Sequence, residues 1–513
     1  MTNSLKEPGK LLYASWSFNL DEVATEQLDH YIAVENFLTD EDELPLDVEN
    51  LEKVSHYLEA FHHLCEVEDW EKASEIISFP LDTSTQEDLD NQLRSWGYSS
   101  KPLELYSKLL GKLTPRWNAI CLNGLGIVNH DLGNYHQAID YFHQCLSIAR
   151  EIDDLAGERK TLGNLGNVYD SLGDYQQAID YHQKSLTIAR ELNDRGGEGT
   201  ALSNLGNAYF SLGNCTRAIE YHQQDLTIAR EMGDIQGEAM ALSNLGNAYH
   251  TLGNYRQAID YYQESLIIAR QIDYLAGVEI ALGGLGNSYD FLGEYDQAIE
   301  YHQQSLTIAK QIGTCEGEAM ALGNLGNAYQ SLGEYQLAIE YHQKGLKIAQ
   351  QIGDRSTIAM ALGNIGIAYC SIGDYCQSIE SHKKCLKIAR EIGDPLTEGS
   401  ALGGLGNAYS SLNKKQKAMS CYLKWLNISR NTNDRFGEGG ALCNLGSTQI
   451  ALEKYSEAME NLKEALNIFR EIGARYDEIV ALNNLVDVCQ IQGLDELAYH
   501  FRMEALKLST IKV

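Results

Sequence analysis

A leucine that returns every 40 residues constrains this 513-residue chain more than any other feature. Ten leucines follow one another at steps of 40 from Leu122 to Leu482, and ten more do so from Leu146 to Leu506. A glycine stands four residues after nine of the first ten leucines. A period of this length is typical of architectures in which one supersecondary unit stacks on the next. The sequence therefore predicts ten tandem units from about residue 115 onward.

Each unit contains two amphipathic helical patterns. The first, helix A, places apolar residues three to four positions apart, as in Leu162, Leu165 and Tyr169. The second, helix B, does the same around Ala178 and Leu186. Neither face of such a hairpin is covered by the hairpin alone, so the units must stack. The predicted fold class is therefore all-α, with the hairpins stacked into a solenoid.

Turn residues predict where these helices end and begin. Gly173 supplies the positive φ that helices use at their C-terminal stop. Asp174 follows as the N-cap of helix B, with Gln177 three residues on as its capping-box partner. Asn134 and Asn254 occupy the same position and are expected to cap in the same way.

The Leu165-Gly166 pair, Tyr169 and Ala178 resemble the pattern of the tetratricopeptide repeat (TPR) family. The period and the LGNxGN opening are similar to its 40-residue Leu-Gly-Asn subtype, found in metazoan spindle-orientation adaptors and in bacterial signalling proteins. The resemblance implies a right-handed α-solenoid of about ten TPR hairpins with an N-terminal helical cap. The adaptors bind G-protein α subunits through GoLoco motifs that follow their repeats. Because no such motif follows the tenth repeat here, G-protein binding is not expected.

The sequence predicts three segments along the chain. Residues 1–45 form an unassigned acidic N-terminal segment that includes the run 40–43. Residues 46–114 are expected to form a helical cap with a degenerate TPR-like hairpin, in which Trp70 and Ala73 take the roles of Tyr175 and Ala178. Residues 115–513 form ten tandem 40-residue TPR units.

The net charge limits the classes of partner that the protein can bind, and the cysteine content indicates its cellular compartment. A net charge of −32 opposes direct binding to nucleic acid or to an anionic membrane surface. Eleven cysteines without a C-x-x-C pair are typical of free thiols in a reducing compartment. The N-terminus has no secretory h-region, and no apolar run approaches 18 residues. We therefore expect a cytoplasmic protein that binds neither membrane nor nucleic acid.

No motif in the sequence points to catalysis, a cofactor or a metal. Histidine recurs at one helix-B position, but equivalent helices stand roughly 8–10 Å apart and zinc ligands must lie about 2.1 Å from the ion. Packing is therefore expected at His182, His222, His302, His342 and His382. The Gly283–Gly286 string follows no strand, so a dinucleotide-binding loop is not expected. Carboxylates near helix starts are expected to pair with cations eight residues earlier, as Glu158, Glu198, Glu238 and Glu318 with Arg150, Arg190, Arg230 and Lys310.

The most informative functional feature is a row of asparagines on helix A, off the leucine stripe. In TPR proteins, this helix face lines the concave groove, and equivalent asparagines hold the main chain of an extended peptide. An amide offers both a donor and an acceptor, and a spacing of about 10 Å equals roughly three extended residues. The predicted peptide-binding residues are Asn164, Asn167, Asn204, Asn207, Asn244, Asn247, Asn287, Asn324 and Asn327. The alternative is that these amides bond neighbouring helices and fix the stacking. Lys160 is the only basic residue found on this face, which argues against a receptor for acidic C-termini.

Three functions follow, in descending order of support. The first is a non-catalytic scaffold that binds a peptide or protein segment in the groove, in signalling or complex assembly. The second is a peptide-signal receptor whose solenoid changes shape when the ligand binds. The third is an enzyme with a site in residues 1–115.

Overall fold

The structure, a computed structural model, describes residues 6–16, 23–39, 50–81 and 87–510, and over these residues the chain is helical. No strand forms in these ranges, and an isolated β-bridge joins Pro80 and Asp88. The acidic run 40–43 lies outside the described residues. The first seven helices are α1 (Lys6–Ser15), α2 (Leu28–Thr39), α3 (Asn50–Lys53), α4 (Ser55–Glu66), α5 (Trp70–Ser78), α6 (Leu89–Ser95) and α7 (Ser100–Leu109).

Twenty helices of 16 to 18 residues follow and alternate between helix A and helix B in the described residues. The A helices are α8 (Pro115–Asp131), α10 (Leu155–Ser171), α12 (Arg195–Ser211), α14 (Ile235–Thr251), α16 (Leu275–Phe291), α18 (Cys315–Ser331), α20 (Arg355–Ser371), α22 (Pro395–Ser411), α24 (Arg435–Ile450) and α26 (Arg475–Ile491). The B helices are α9 (Tyr135–Glu151), α11 (Tyr175–Glu191), α13 (Cys215–Met232), α15 (Tyr255–Gln271), α17 (Tyr295–Ile312), α19 (Tyr335–Ile352), α21 (Tyr375–Ile392), α23 (Lys415–Thr432), α25 (Tyr455–Ile472) and α27 (Asp495–Thr510). The predicted all-α fold of stacked TPR hairpins is confirmed.

The helix ends show why the period repeats so strictly. Gly173 has φ of 77°, and the side chain of Asp174 accepts a hydrogen bond from the Gln177 amide at 3.2 Å, so both predicted roles are confirmed. The capping prediction is wrong for Asn134 and Asn254, which stand at the N-cap without a side-chain bond to the helix. The Asn134 amide instead approaches Asn129, at 3.4 Å.

The chain separates into two compact units, Met1–Ala248 and Tyr249–Val513. In the first unit, α1 packs on α2 and α2 packs on α4, so part of the segment left unassigned by the sequence is helical. Its core joins Leu38 and Phe61 to Tyr106 of α7 and Leu125 of α8. The cap and the first TPR hairpin thus share one apolar core.

Within the second unit, the cores are built from the leucine series and from aromatic residues of helix B. The core of the last hairpins includes Tyr422, Leu442, Leu466, Phe469 and Leu482, all buried. The first leucine series is buried throughout this unit, from Leu282 to Leu482.

Candidate functional site

The helix-B histidines are packing residues. His182, His222, His302, His342 and His382 are buried, at 0–2% exposure. Each ring lies against a glycine of the preceding A helix, which follows a leucine in four cases and Ile365 in the case of His382, and His382 also lies against Gly404 of the following hairpin. Burial lowers the pKa of His222, His302, His342 and His382 to about 4. Within the described ranges, no three His, Cys, Asp or Glu side chains come together as a metal site.

Within each unit, side-chain hydrogen bonds join asparagines of successive A helices. In the first unit, Asn204 Nδ2 donates to Asn167 Oδ1 at 3.3 Å, and Asn164 Nδ2 donates to Asn123 Oδ1 at 2.9 Å. In the second unit, Asn364 donates to Asn327 at 3.0 Å. Asn444 likewise donates to Asn407, at 3.4 Å. These bonds join successive A helices, as the stacking alternative expected.

The amides nonetheless remain accessible on the surface of the A helices. Asn167, Asn207 and Asn327 are exposed. The other six predicted residues are half-buried: Asn164, Asn204, Asn244, Asn247, Asn287 and Asn324. We call the surface formed by these two positions of each A helix, and by the residues one turn before them, the A surface. In a stacking bond such as Asn204 to Asn167, the acceptor uses one oxygen lone pair and neither amide hydrogen.

The variable position three residues after Asn167 and after its counterpart Asn247 contacts neighbouring helices. Asp170 Oδ2 bonds the buried His182 Nε2 at 3.0 Å. His250 bonds Ser288 of the next A helix at 3.1 Å and packs edge-on against Phe291. These side chains are half-buried, so they are less available to a ligand than the amides beside them.

Tyrosines add a contact that the sequence analysis missed. Tyr169 of α10 stacks on Tyr181 of α11, with ring centroids 5.3 Å apart and planes 10° apart. Similar stacks recur at Tyr209–Tyr221, Tyr249–Tyr261, Tyr289–Tyr301 and Tyr329–Tyr341. The regular 12-residue separation was the available signal. Each stack fixes helix A against helix B within one hairpin.

The predicted carboxylate pairs are confirmed. Arg150–Glu158 and Arg190–Glu198 have N–O distances of 2.8 Å, Arg230–Glu238 of 2.6 Å, and Lys310–Glu318 of 3.7 Å. Each pair ties the end of a B helix to the start of the next A helix. These charges therefore have a structural role. The Gly283–Gly286 string lies within α16, as expected for helix packing.

A cavity of about 420 Å³ opens between the cap and the first hairpins, beside Asn123, which accepts the hydrogen bond from Asn164. Arg116 and Lys160 line it together with Trp117, so Lys160 is not the only cation near this end of the A surface. Asp88 and Asp90 line the same cavity, and burial raises the pKa of Asp88. The spacing of residues on helix A could not predict that Asp88 and Asp90 lie near Arg116 and Lys160, because these two aspartates belong to the cap.

Stacked helix hairpins with a regular polar surface define a repeat protein of the peptide- and protein-binding class. The tetratricopeptide repeat profile matches residues 118–191, 197–271, 277–351 and 357–431, and a second tetratricopeptide repeat profile matches residues 439–471. The chain belongs to the tetratricopeptide repeat family. Membership supports a protein-interaction scaffold or a peptide-signal receptor, with a protein or peptide as the partner. The search of curated proteins returned no match for this chain.

The chain is similar to several solved structures at low sequence identity. BtubC (BKLC) from P. vanneervenii is 22% identical, with 43% of this chain and 92% of that chain covered and a TM-score of 0.39. The apo quorum sensor NprR from B. thuringiensis is 17% identical, with 74% and 99% covered and a TM-score of 0.49. A signal transduction ATPase with a TPR sensor from Pyrococcus horikoshii is 15% identical, with 93% and 74% covered and a TM-score of 0.49. At such identities and TM-scores, the likenesses carry no argument about function.

The described helices were also compared with the length and hydropathy of a membrane span. None of them is both long and apolar enough to cross a bilayer.

Proposed function

We propose that the chain is a non-catalytic scaffold that binds an extended segment of another protein along the A surface. The observation that carries this proposal is the repeated exposed amide, seen at Asn167, Asn207 and Asn327. An amide matches the donor and acceptor of one peptide unit, and the stacking bonds leave amide hydrogens of the acceptor residue for a ligand. The row of asparagines, or asparagine ladder, thus both joins neighbouring A helices and binds the partner segment.

Geometry supports an extended ligand over a compact one. Successive A helices pack directly and share amide bonds, so their axes are separated by roughly 8–10 Å. An extended chain covers this distance in about three residues at roughly 3.3 Å per residue. One amide per hairpin therefore meets every third peptide unit of a bound strand.

The net charge of −32 guides the choice of partner. A negatively charged surface repels phosphate backbones, so the proposed partner is a protein and not a nucleic acid. The proposal also places the protein in the cytoplasm, where free cysteines persist.

The decisive experiment is an affinity pull-down from cells that produce the protein, read by mass spectrometry. The test variant replaces Asn204, Asn207, Asn244 and Asn247 together with alanine. The matched control replaces four exposed B-helix amides with alanine, namely Gln183, Gln223, Gln263 and Gln343. We expect the asparagine variant to lose the partner and the glutamine variant to keep it, with both retaining the helical circular dichroism spectrum. Retention by the asparagine variant would show that the ladder is structural only.

The same experiment separates the scaffold from the peptide-signal receptor. A scaffold retains a long protein segment. A receptor instead binds a short free peptide that raises the melting temperature and reduces the radius of gyration in X-ray scattering. A short peptide with both effects would replace the scaffold proposal with the receptor.

A further inference from the structure

Each A helix of the second unit from α16 to α26 carries an exposed apolar side chain within its first two turns. The exposed fractions lie between 50% and 77%. The residues are Ile280, Met320, Met360, Leu396, Phe436 and Tyr476. Side chains this apolar are normally covered when they recur in a row, because a continuous apolar patch on water is unfavourable.

These six residues follow the helix repeat and form one line. Ile280, Met320 and Met360 are each the sixth residue of their helix, and Leu396, Phe436 and Tyr476 are each the second. The two positions are four residues apart, which places them on the same face one turn apart. We call this line the apolar stripe.

The apolar stripe borders the asparagine ladder. Met320 precedes Asn324 by four residues and Asn327 by seven, a spacing that keeps all three on one helix face. The stacking bonds Asn364–Asn327 and Asn444–Asn407 show that successive A helices meet at this face. Ile280, Met320 and Met360 therefore lie on the A surface of the second unit, and the other three stripe residues extend that surface by one helical turn.

The part of the helix that follows the stripe is uncharged in α18, α20, α22 and α24, whereas the equivalent parts of α16 and α26 contain Asp290 and Asp487. Residues 321–333, 361–373, 401–413 and 441–452 contain no Asp, Glu, Lys or Arg. A charged ligand segment would lose hydration here without gaining a counter-ion, whereas an uncharged segment loses nothing of that kind. Electrostatics thus favours a neutral occupant in a chain whose net charge is −32.

We propose that this surface binds an uncharged partner segment that carries an apolar side chain at every third residue. A polyproline II strand has three residues per turn and rises about 3.1 Å per residue, or about 9.3 Å per turn. This matches the separation of roughly 8–10 Å between packed helices. Each apolar residue of such a segment packs on one stripe residue while the ladder amides bond its main chain.

This inference rests on the proposed function, which it extends by naming the chemistry of the partner. The probe is a fluorescein-labelled peptide of six Pro-Ser-Leu repeats. The control peptide has the same composition with the leucines at spacings of two and four. Binding to the full chain is measured by fluorescence anisotropy.

The test variant carries Met320→Gln, Met360→Gln and Phe436→Gln. The matched control carries Ile267→Gln, Leu337→Gln and Leu423→Gln, which are exposed apolar residues of B helices. We expect saturable binding of the periodic peptide, a loss of at least tenfold in affinity for the stripe variant, and no loss for the control variant. The affinity should change less than twofold between 50 and 500 mM salt, because the contact is uncharged.

Equal affinity of the stripe and control variants overturns the proposal, as does equal affinity for the two peptides. If light scattering shows a dimer that only the stripe variant dissolves, the occupant is a second copy and the proposal also fails. If the asparagine variant loses a pulled-down partner that the stripe variant retains, the scaffold function is supported and the role of the apolar stripe is refuted. If both variants retain the pulled-down partner, the scaffold function on this surface and the apolar-segment proposal both fail.

Discussion

Gly166 of α10 lies directly against the His182 ring of α11, so closely that any Cβ on Gly166 would overlap the ring. The same contact recurs in later hairpins as Gly286–His302 and Gly326–His342. Glycine within a helix costs roughly 1 kcal/mol relative to alanine. The nearly unbroken Leu-Gly pair therefore reflects the space that the buried ring requires.

Substitution of Gly326 by alanine should destabilise the protein by roughly 1–3 kcal/mol, because the methyl group overlaps His342. The control is Gly323→Ala in the same helix, where no atom lies within 4 Å of the added carbon. That change should stabilise by roughly 0.5–1 kcal/mol through helix propensity. Urea midpoints measured by circular dichroism compare the two. Equal shifts in the same direction would contradict the packing account.

Acidification should destabilise the protein through its buried histidines. Burial lowers the pKa of His222, His302, His342 and His382 to about 4, whereas the unfolded value is about 6.5. The unfolded chain therefore binds more protons between these values. Stability is complete above about pH 6.5 and falls as the pH drops towards 4, by about 1.4 kcal/mol per pH unit for each histidine. Asp225 opposes this in part, because burial raises its pKa to about 6.

The measurement is the melting temperature at pH 7.5 and pH 5.0 for the native protein and two variants. His382→Tyr places a tyrosine beside Gly404, as Tyr262 already lies beside Gly284. This variant should lose less stability on acidification than the native protein. The exposed His136→Tyr should behave as the native protein does. An unchanged pH response in His382→Tyr would show that this histidine does not carry the effect.

Capping should contribute at Asp174 and not at Asn134. The Asp174 carboxylate accepts from the Gln177 amide, whereas Asn134 occupies the same position without a side-chain bond to its helix. Asp174→Ala should therefore cost about 1 kcal/mol, and Asn134→Ala only a few tenths. Differential scanning calorimetry gives both values. A larger loss for Asn134→Ala would refute the assignment of the caps.

Much of the fold could be predicted from the sequence, because the residues that recur every 40 positions include those that each helix buries. The leucine series from Leu122 predicted the hairpins, and the Arg190–Glu198 type of ion pair followed from its eight-residue spacing. Helices α1 and α2 have no repeat partner, so periodicity gave no information about them. Their place is set by the packing of α1 on α2 and of α2 on α4, which is distant in sequence.

The place of the asparagines on helix A could be predicted, but their hydrogen bonds could not. The asparagines lie off the leucine stripe, which placed them on the A surface. The distance from Asn204 to Asn167 depends on how two hairpins stack, and a single sequence does not specify that geometry. The apolar stripe was missed for a related reason, since exposure at Met320 becomes visible only when its neighbours are in place.

Site-specific photo-crosslinking tests most directly whether the A surface is where a partner binds. Benzoylphenylalanine is introduced at Asn207 of the A surface or at the exposed Gln223 of helix B, and the irradiated cells are analysed by mass spectrometry. We expect crosslinks to one extended partner segment from position 207 and none from position 223. Crosslinks to a partner from position 223 with none from position 207 would contradict this expectation.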